Sequence, residues 1–181
     1  MIMRPVLVTP PQGSIVTLEE LRLQCRADEV QEEDALLLSL RDAAMAHLDG
    51  WYGILGRCIL SQTWQQDFAT VGPVRLALPD ITDLEVVRVD AEGAEIEVLG
   101  SVIRHDALGT TVSPRVLAPG PLRVRFTAEM PRELRPVVAQ AVKMLVGHWY
   151  ANREAVVTGT IATALPFAVN ALLGPIRAVR V

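Results

Sequence analysis

Aromatic residues are scarce in this 181-residue chain, at 4% of the total, and so are cysteine, with two, and histidine, with three. Cys25 and Cys58 make no disulfide framework, and two thiolates are too few for a structural zinc site. His47, His105 and His148 do not stand at metal-ligand spacing from one another. Gly-x-Gly-x-x-Gly and Walker-type loops are missing, which removes the usual phosphate cradles. Gly-x-Ser-x-Gly and His-Glu-x-x-His are missing too. Positive charge is in deficit: 17 Lys and Arg against 21 Asp and Glu leave a net charge of −4, with no excess to build the basic face of a dedicated nucleic-acid binder. Nor is there a long hydrophobic run. The most apolar stretch, residues 162–176, is broken by Thr163, Pro166, Asn170 and Pro175 and falls short of the roughly 20 residues that cross a bilayer. The opening Met1-Ile2-Met3-Arg4-Pro5 lacks the apolar core of a signal peptide, so the chain is expected to be made and kept in the cytosol. What is abundant is hydrophobic residues, at 50%, enough for one sizeable core or a core plus a small insert.

Periodicity divides the chain into helices, then strands, then helices. Residues through Pro10-Pro11 read as an extended arm, because adjacent prolines forbid helix. Thr17-Leu18-Glu19-Glu20 is a capping box that opens a short helix ending near Arg26. A longer helix is expected from about Glu32 to Trp51, with Leu36, Leu37, Leu40, Ala43, Ala44, His47 and Trp51 on its apolar face. Leu38 and Met45 fall on the opposite side, where a monomer would normally carry charge. Segments 61–68, 74–78, 84–89, 94–99, 101–105 and 121–127 read as short antiparallel strands, separated by Gly- and Pro-rich turns that include Gly109. Helix returns near Pro131 and is expected to run to about Val156, with Leu134, Val138, Ala141, Val142, Leu145, His148 and Trp149 inward. A short helix over residues 166–173 is stopped by Gly174-Pro175, beyond which an extended tail is expected. The fold class is therefore α+β: a helical core formed by residues 1–60 and 129–181, and a β-rich insert over residues 61–128.

Each candidate for chemistry has a simpler structural reading. His47 and His148 sit on or beside apolar stripes, the ordinary place of a hydrogen-bonded histidine at a core edge. Cys25 and Cys58 read as small buried hydrophobes. The cluster Asp28, Glu29, Glu32, Glu33 and Asp34 complements the positive end of a helix dipole rather than holding a cation. Arg123 and Arg125 share a strand face that would reach phosphate, but an exposed sheet face is the plainer account. No enzymatic constellation emerges, and no metal or cofactor is expected.

The two ends of the chain carry a family resemblance. Val16-Thr17-Leu18-Glu19-Glu20-Leu21-Arg22 through Glu33-Asp34-Ala35-Leu36-Leu37 resembles the start of the head–tail connector (adaptor) proteins of tailed phages. Arg57-Cys58-Ile59-Leu60-Ser61-Gln62-Thr63-Trp64 resembles their strand entry. His148-Trp149-Tyr150-Ala151-Asn152-Arg153-Glu154, followed by the segment from Leu165 to Arg177, resembles their end. The resemblance spans about Ile15 to Arg177. It implies a virion part at the head–tail junction, assembled in the host cytoplasm, in a phage or a phage-derived particle such as a gene transfer agent. Its partners would be further copies of itself in a ring, usually dodecameric, the portal protein of the filled head, and a stopper or tail terminator protein. DNA would pass through the lumen without specific binding, and no membrane is involved. Within that frame Leu38 and Met45 are the candidate subunit contacts. Ile176, Arg177, Val179, Arg180 and Val181 are the candidates for docking on the portal or a neighbour. A different neck protein, a stopper or tail-completion factor, is the nearest alternative, although those are strand-dominated. A DNA-packaging subunit is the more distant one, since no helix is uniformly basic.

Overall fold

The computed structural model describes residues 4–27, 31–69, 72–98, 100–106, 108–115, 120–152 and 167–178. The fold is α+β, and the chain divides into two compact units, one of strands and one of helices.

The helical unit comprises Gly13–Leu55 and Arg132–Arg177. Its first helix, α1 (Leu18–Cys25), begins as its sequence dictates: the Thr17 hydroxyl accepts the Glu20 N–H, and the Glu20 carboxylate accepts the Thr17 N–H at 2.9 Å. Arg26 ends it in the left-handed region, at φ 55°. A 3₁₀ turn (Gln31–Glu33) leads into α2 (Asp34–Leu48), which is shorter at both ends than the periodicity suggested. It stops because the chain folds back on its last turn. Ile54 and Leu55 donate to the carbonyls of His47 and Leu48, and a Cβ at Gly53 would lie 2.2 Å from the Asp49 carbonyl oxygen, so only glycine fits there. After a 3₁₀ turn (Arg132–Leu134), α3 (Arg135–Ala151) presents Val138, Ala141, Val142, Leu145 and Val146 to the core. The last helix, α4 (Phe167–Leu173), adds Val169 and Leu173. Both α1 and α2 pack on α3, and so does α4.

In α2 the buried residues are Leu37, Ala44 and Leu48. This corrects the expected stripe. Leu36 and Leu40 are half-buried, and Ala43 and His47 are exposed. At about 100° per residue these four lie roughly a quarter turn to one side of the buried line, and Leu38 and Met45 lie a similar angle to the other.

The strand unit comprises Met1–Gln12, Gly56–Pro131 and Ala178–Val181. Its main sheet has the order β1-β2-β8-β4-β5, all antiparallel: β1 (Val6–Thr9), β2 (Gln62–Phe68), β8 (Leu122–Ala128), β4 (Ile81–Val89) and β5 (Glu95–Glu97). A smaller sheet has the order β3-β7-β6, from β3 (Val74–Arg75), β7 (Gly109–Ser113) and β6 (Val102–Asp106). The extended amino-terminal arm is thus an edge strand, its prolines standing just outside the paired residues. Strand β7 was not foreseen. Gly109, read as a turn, closes the hairpin with Asp106 and is itself the first paired residue.

Alternation sets the two faces of β2 and β8. Trp64, Phe68, Leu122, Val124, Phe126 and Ala128 are buried, and so are Gln62 and Gln66. Buried amides need partners. Gln62 accepts the Trp64 indole N–H at 3.2 Å, and Gln66 accepts the backbone N–H of Ala77 at 3.0 Å.

Candidate functional site

The candidate contact residues stand on α2 and just beyond α4. Leu38 and Met45 are half-buried, a quarter turn from the buried line of α2, and form a flank of that helix rather than its far side. Beyond α4, the expectation of a tail extended immediately after Pro175 is corrected at Ile176. Gly174–Ile176 form one 3₁₀ turn, and Arg177 N–H donates to the Leu173 carbonyl at 3.1 Å. Pro175 sits at the start of that turn, where a missing N–H costs nothing. The chain becomes extended only at Arg177, whose guanidinium donates to Asn170 at 2.8 Å, so this side chain is tied back to α4. Ile176 is half-buried. Val179, Arg180 and Val181 lie outside the described residues, as do Asp28 and Glu29 of the acidic cluster; α3 ends at Ala151 with Asn152 as its C-cap, short of the expected end near Val156.

Several charges in the helical unit are paired within it. Asp34, the first residue of α2, receives Arg22 Nε at 2.8 Å, and this pairing holds its carboxyl below the usual carboxylate range. Glu20 is held low by the Thr17 N–H and by Lys143, whose ammonium is 3.2 Å away. Glu33 accepts the Tyr150 hydroxyl. Glu33 and Asp34 of the acidic cluster thus tie elements of the unit together. His47 is exposed and meets the Trp149 ring edge-on, with centroids 6.3 Å apart. His148 is exposed. His105 Nδ1 lies 3.0 Å from the Thr110 hydroxyl across the β6–β7 hairpin. Cys58 is buried and Cys25 half-buried. Among the described residues no three His, Cys, Asp or Glu side chains gather as a metal site would require.

The outer face of the main sheet carries an ion-pair lattice that sequence pattern did not reveal. Arg123 grips Asp67, its direct cross-strand neighbour, through two bonds of 2.9 Å, and reaches Glu95 at 2.8 Å. Arg125 bonds the same Glu95 and its cross-strand neighbour Glu85, the latter at 3.3 Å. Glu95 is on β5 and Arg123 on β8, so their bridge spans the intervening β4 over Val87, which is only 4% exposed despite its outward position. Arg125 and Arg123 hold the Glu95 carboxyl low, and the carboxylates in turn hold both guanidiniums high, with Asp67 first for Arg123 and Glu95 first for Arg125. Neither arginine has a guanidinium left over for phosphate. In the small sheet, Arg75 and Asp106 pair through two bonds of 2.8 Å; with the Leu108 N–H, that pairing lowers the Asp106 pKa to about 2.

No protein-family model matches the sequence, and no curated protein matches it. Solved structures do. The chain is similar to one in the neck of an empty gene transfer agent (GTA) particle determined with C6 symmetry, at 26% identity and a TM-score of 0.73, over 99% of this chain and 97% of that one. It is similar to a chain of the native GTA virion at 26% identity and a TM-score of 0.71, with the same coverage. Both likenesses, in fold and in sequence, extend over nearly the whole of each chain, and one of them is to a chain of a GTA particle's neck.

Proposed function

We propose that this chain is a structural neck protein that forms a ring adaptor between the portal of a DNA-filled head and the tail, with DNA passing through its lumen. The observation that carries the reading is the end-to-end likeness to a GTA neck chain, which leaves almost no part of either protein unmatched. A dodecamer is compatible with the C6 symmetry of that neck. The chain acts without turnover and without a cofactor. It assembles in the host cytoplasm and resides in the virion, touching the portal on one side and a stopper or tail terminator protein on the other. A lumen must let DNA slide, and tight grip comes from many free cationic contacts. The net charge of −4 and the commitment of Arg123 and Arg125 to carboxylates both favour sliding. Helices that precede and follow the strands along the chain favour an adaptor over a strand-dominated stopper.

In this reading Leu38 and Met45 meet a neighbouring copy, and the segment from Ile176 to Val181 docks on the portal. The tail provides the test. Deleting residues 178–181 leaves Arg177 on Asn170 and the 3₁₀ turn in place. The expected result is an unchanged melting temperature, together with heads that lack tails or leak DNA. Normally tailed particles from the truncated protein would refute the tail as the anchor.

A further inference from the structure

Backbone groups in the main sheet turn alternately to one neighbouring strand and the other, and that alternation defines what its two edges leave open. Val89 N–H donates to the Pro121 carbonyl at 3.1 Å. Counting from that bond along the registers, Arg123 and Arg125 turn their backbone groups to β4, and Leu122, Val124 and Phe126 turn theirs to β2. Trp64 therefore bonds β8, and Gln65 bonds β1. Val6, opposite Gln65, is bonded into the sheet, whereas Leu7, opposite Trp64, has its N–H and C=O on the free side. At the other edge, Asp90 N–H donates to the Ala94 carbonyl at 3.0 Å and Val98 N–H to the Val86 carbonyl at 2.9 Å, so residues 94, 96 and 98 turn toward β4. Glu95 and Glu97 turn their backbone groups outward. One edge thus offers Leu7, and the other offers the two residues that flank Ile96.

Those two sets are complementary in one direction only. Five strands, each antiparallel to the next, leave β1 and β5 running the same way. In a parallel ladder a residue bonds the two that flank its opposite number, so Leu7 opposite Ile96 donates its N–H to the Glu95 carbonyl and accepts the Glu97 N–H. The side chains agree. Leu7 shares the inner face with buried Trp64, and Ile96 shares it through Arg88 and buried Leu122. Each is incompletely covered at its own edge, Leu7 at 41% and Ile96 at 42% exposed. Antiparallel bonding would set Leu7 against Glu95 or Glu97, an inner-face residue against outer-face ones, and so turn one sheet over. In the parallel register Val6 lies opposite Glu95, whose carboxylate is already held by Arg123 and Arg125. Pro5 and Pro10 confine the join to one short strand.

We propose that Leu7 in β1 of one copy enters a parallel ladder between Glu95 and Glu97 in β5 of the next, with the inner faces of the two sheets on the same side. Two different edges meet, so the contact is head-to-tail, the kind that closes a ring when its rotation closes. It rests on the reading of the chain as a ring subunit and adds to it a surface through which copies meet. A short acidic edge strand also serves to repel other strands; the experiment below decides between the two roles.

Two arms test it. In the first, particles carrying Leu7→Cys with Ile96→Cys, or Val6→Cys with Glu97→Cys, are mildly oxidised beside the single variants, all of which keep Cys25 and Cys58. Directly opposite Cα atoms lie about 5 Å apart, within disulfide reach, and positions offset by two residues about 8 Å apart, beyond it. The Leu7–Ile96 pair is expected to give a non-reducing ladder of dimers, trimers and higher species, and the Val6–Glu97 pair none. No ladder from the first pair, or an equal ladder from the second, overturns the register. In the second arm, Glu97→Pro removes an N–H that bonds nothing in its own sheet, and Glu97→Ala keeps it. The two should melt together as isolated chains, while Glu97→Pro enters particles several-fold less. Equal entry overturns the contact, and a melting temperature for Glu97→Pro well below that of Glu97→Ala overturns the assignment of that N–H to the free side. Copies of the unaltered chain per particle, counted by mass spectrometry, separate the two claims. An unaltered chain present while either arm fails defeats only the sheet contact. An unaltered chain absent from particles defeats the neck reading and this inference together.

Discussion

Asp106 shows how a residue's chemistry is set by what faces it. Its carboxylate takes both bonds of the Arg75 guanidinium and the Leu108 N–H, and its pKa falls from 3.8 to about 2. A carboxyl whose folded pKa is depressed contributes stability that is present above its unfolded pKa and lost as pH falls through the folded value. The β6–β7 hairpin is therefore expected to hold its pairing above about pH 4 and to loosen as pH approaches 2. Carbon-detected NMR should give an Asp106 titration midpoint near 2, and Arg75→Gln should return it toward 3.8; a midpoint unmoved by that substitution would contradict the account. Residues of this kind were only partly legible in sequence. The Thr17–Glu20 capping box was, because both partners lie within one helical turn and the spacing alone specifies the bonds. Arg123 with Asp67 was not: its partner is 56 residues away and is fixed by strand register. The two arginines were rightly read as sharing a strand face, but nothing local said that acids on β2, β4 and β5 would meet them there.

Among the elements, α2 is where pattern and structure part most clearly. Leu36-Leu37-Leu38 covers about 200° of the helix, so the sequence offers more than one inward stripe of nearly equal hydrophobicity. Packing against α3 decides for the middle one, Leu37–Ala44–Leu48, and leaves apolar flanks on both sides. Leu37→Ala is expected to cost about 2–5 kcal/mol of stability in urea denaturation, as for other fully buried leucines. Leu38→Asp with Met45→Asp is expected to leave a folded chain that no longer enters particles. A double variant that unfolds as readily as Leu37→Ala would mean that these side chains serve their own subunit instead. The strand elements tell a similar story. Segments with strict alternation, such as Leu122–Ala128, were readable, whereas Gly109–Ser113 has only one large apolar residue, Val112, and acquires its identity from pairing with β3 and β6.

For the whole molecule, the order of helices, strands and helices was evident from the change of period at residues 50–60 and back at Pro131. The membership of the first residues in the sheet was not, since a four-residue strand between prolines has no pattern of its own and is defined by β2. The proposed role is to hold head and tail surfaces together while DNA passes, and the pairing of Arg123 and Arg125 with carboxylates supports it. That central claim is one of location, and imaging tests it most directly. Cryo-electron microscopy of intact particles from the producing cell should place copies of this fold in a closed ring between portal and tail. Finding the chain elsewhere in the particle, or finding that junction filled by a different protein, would contradict the account.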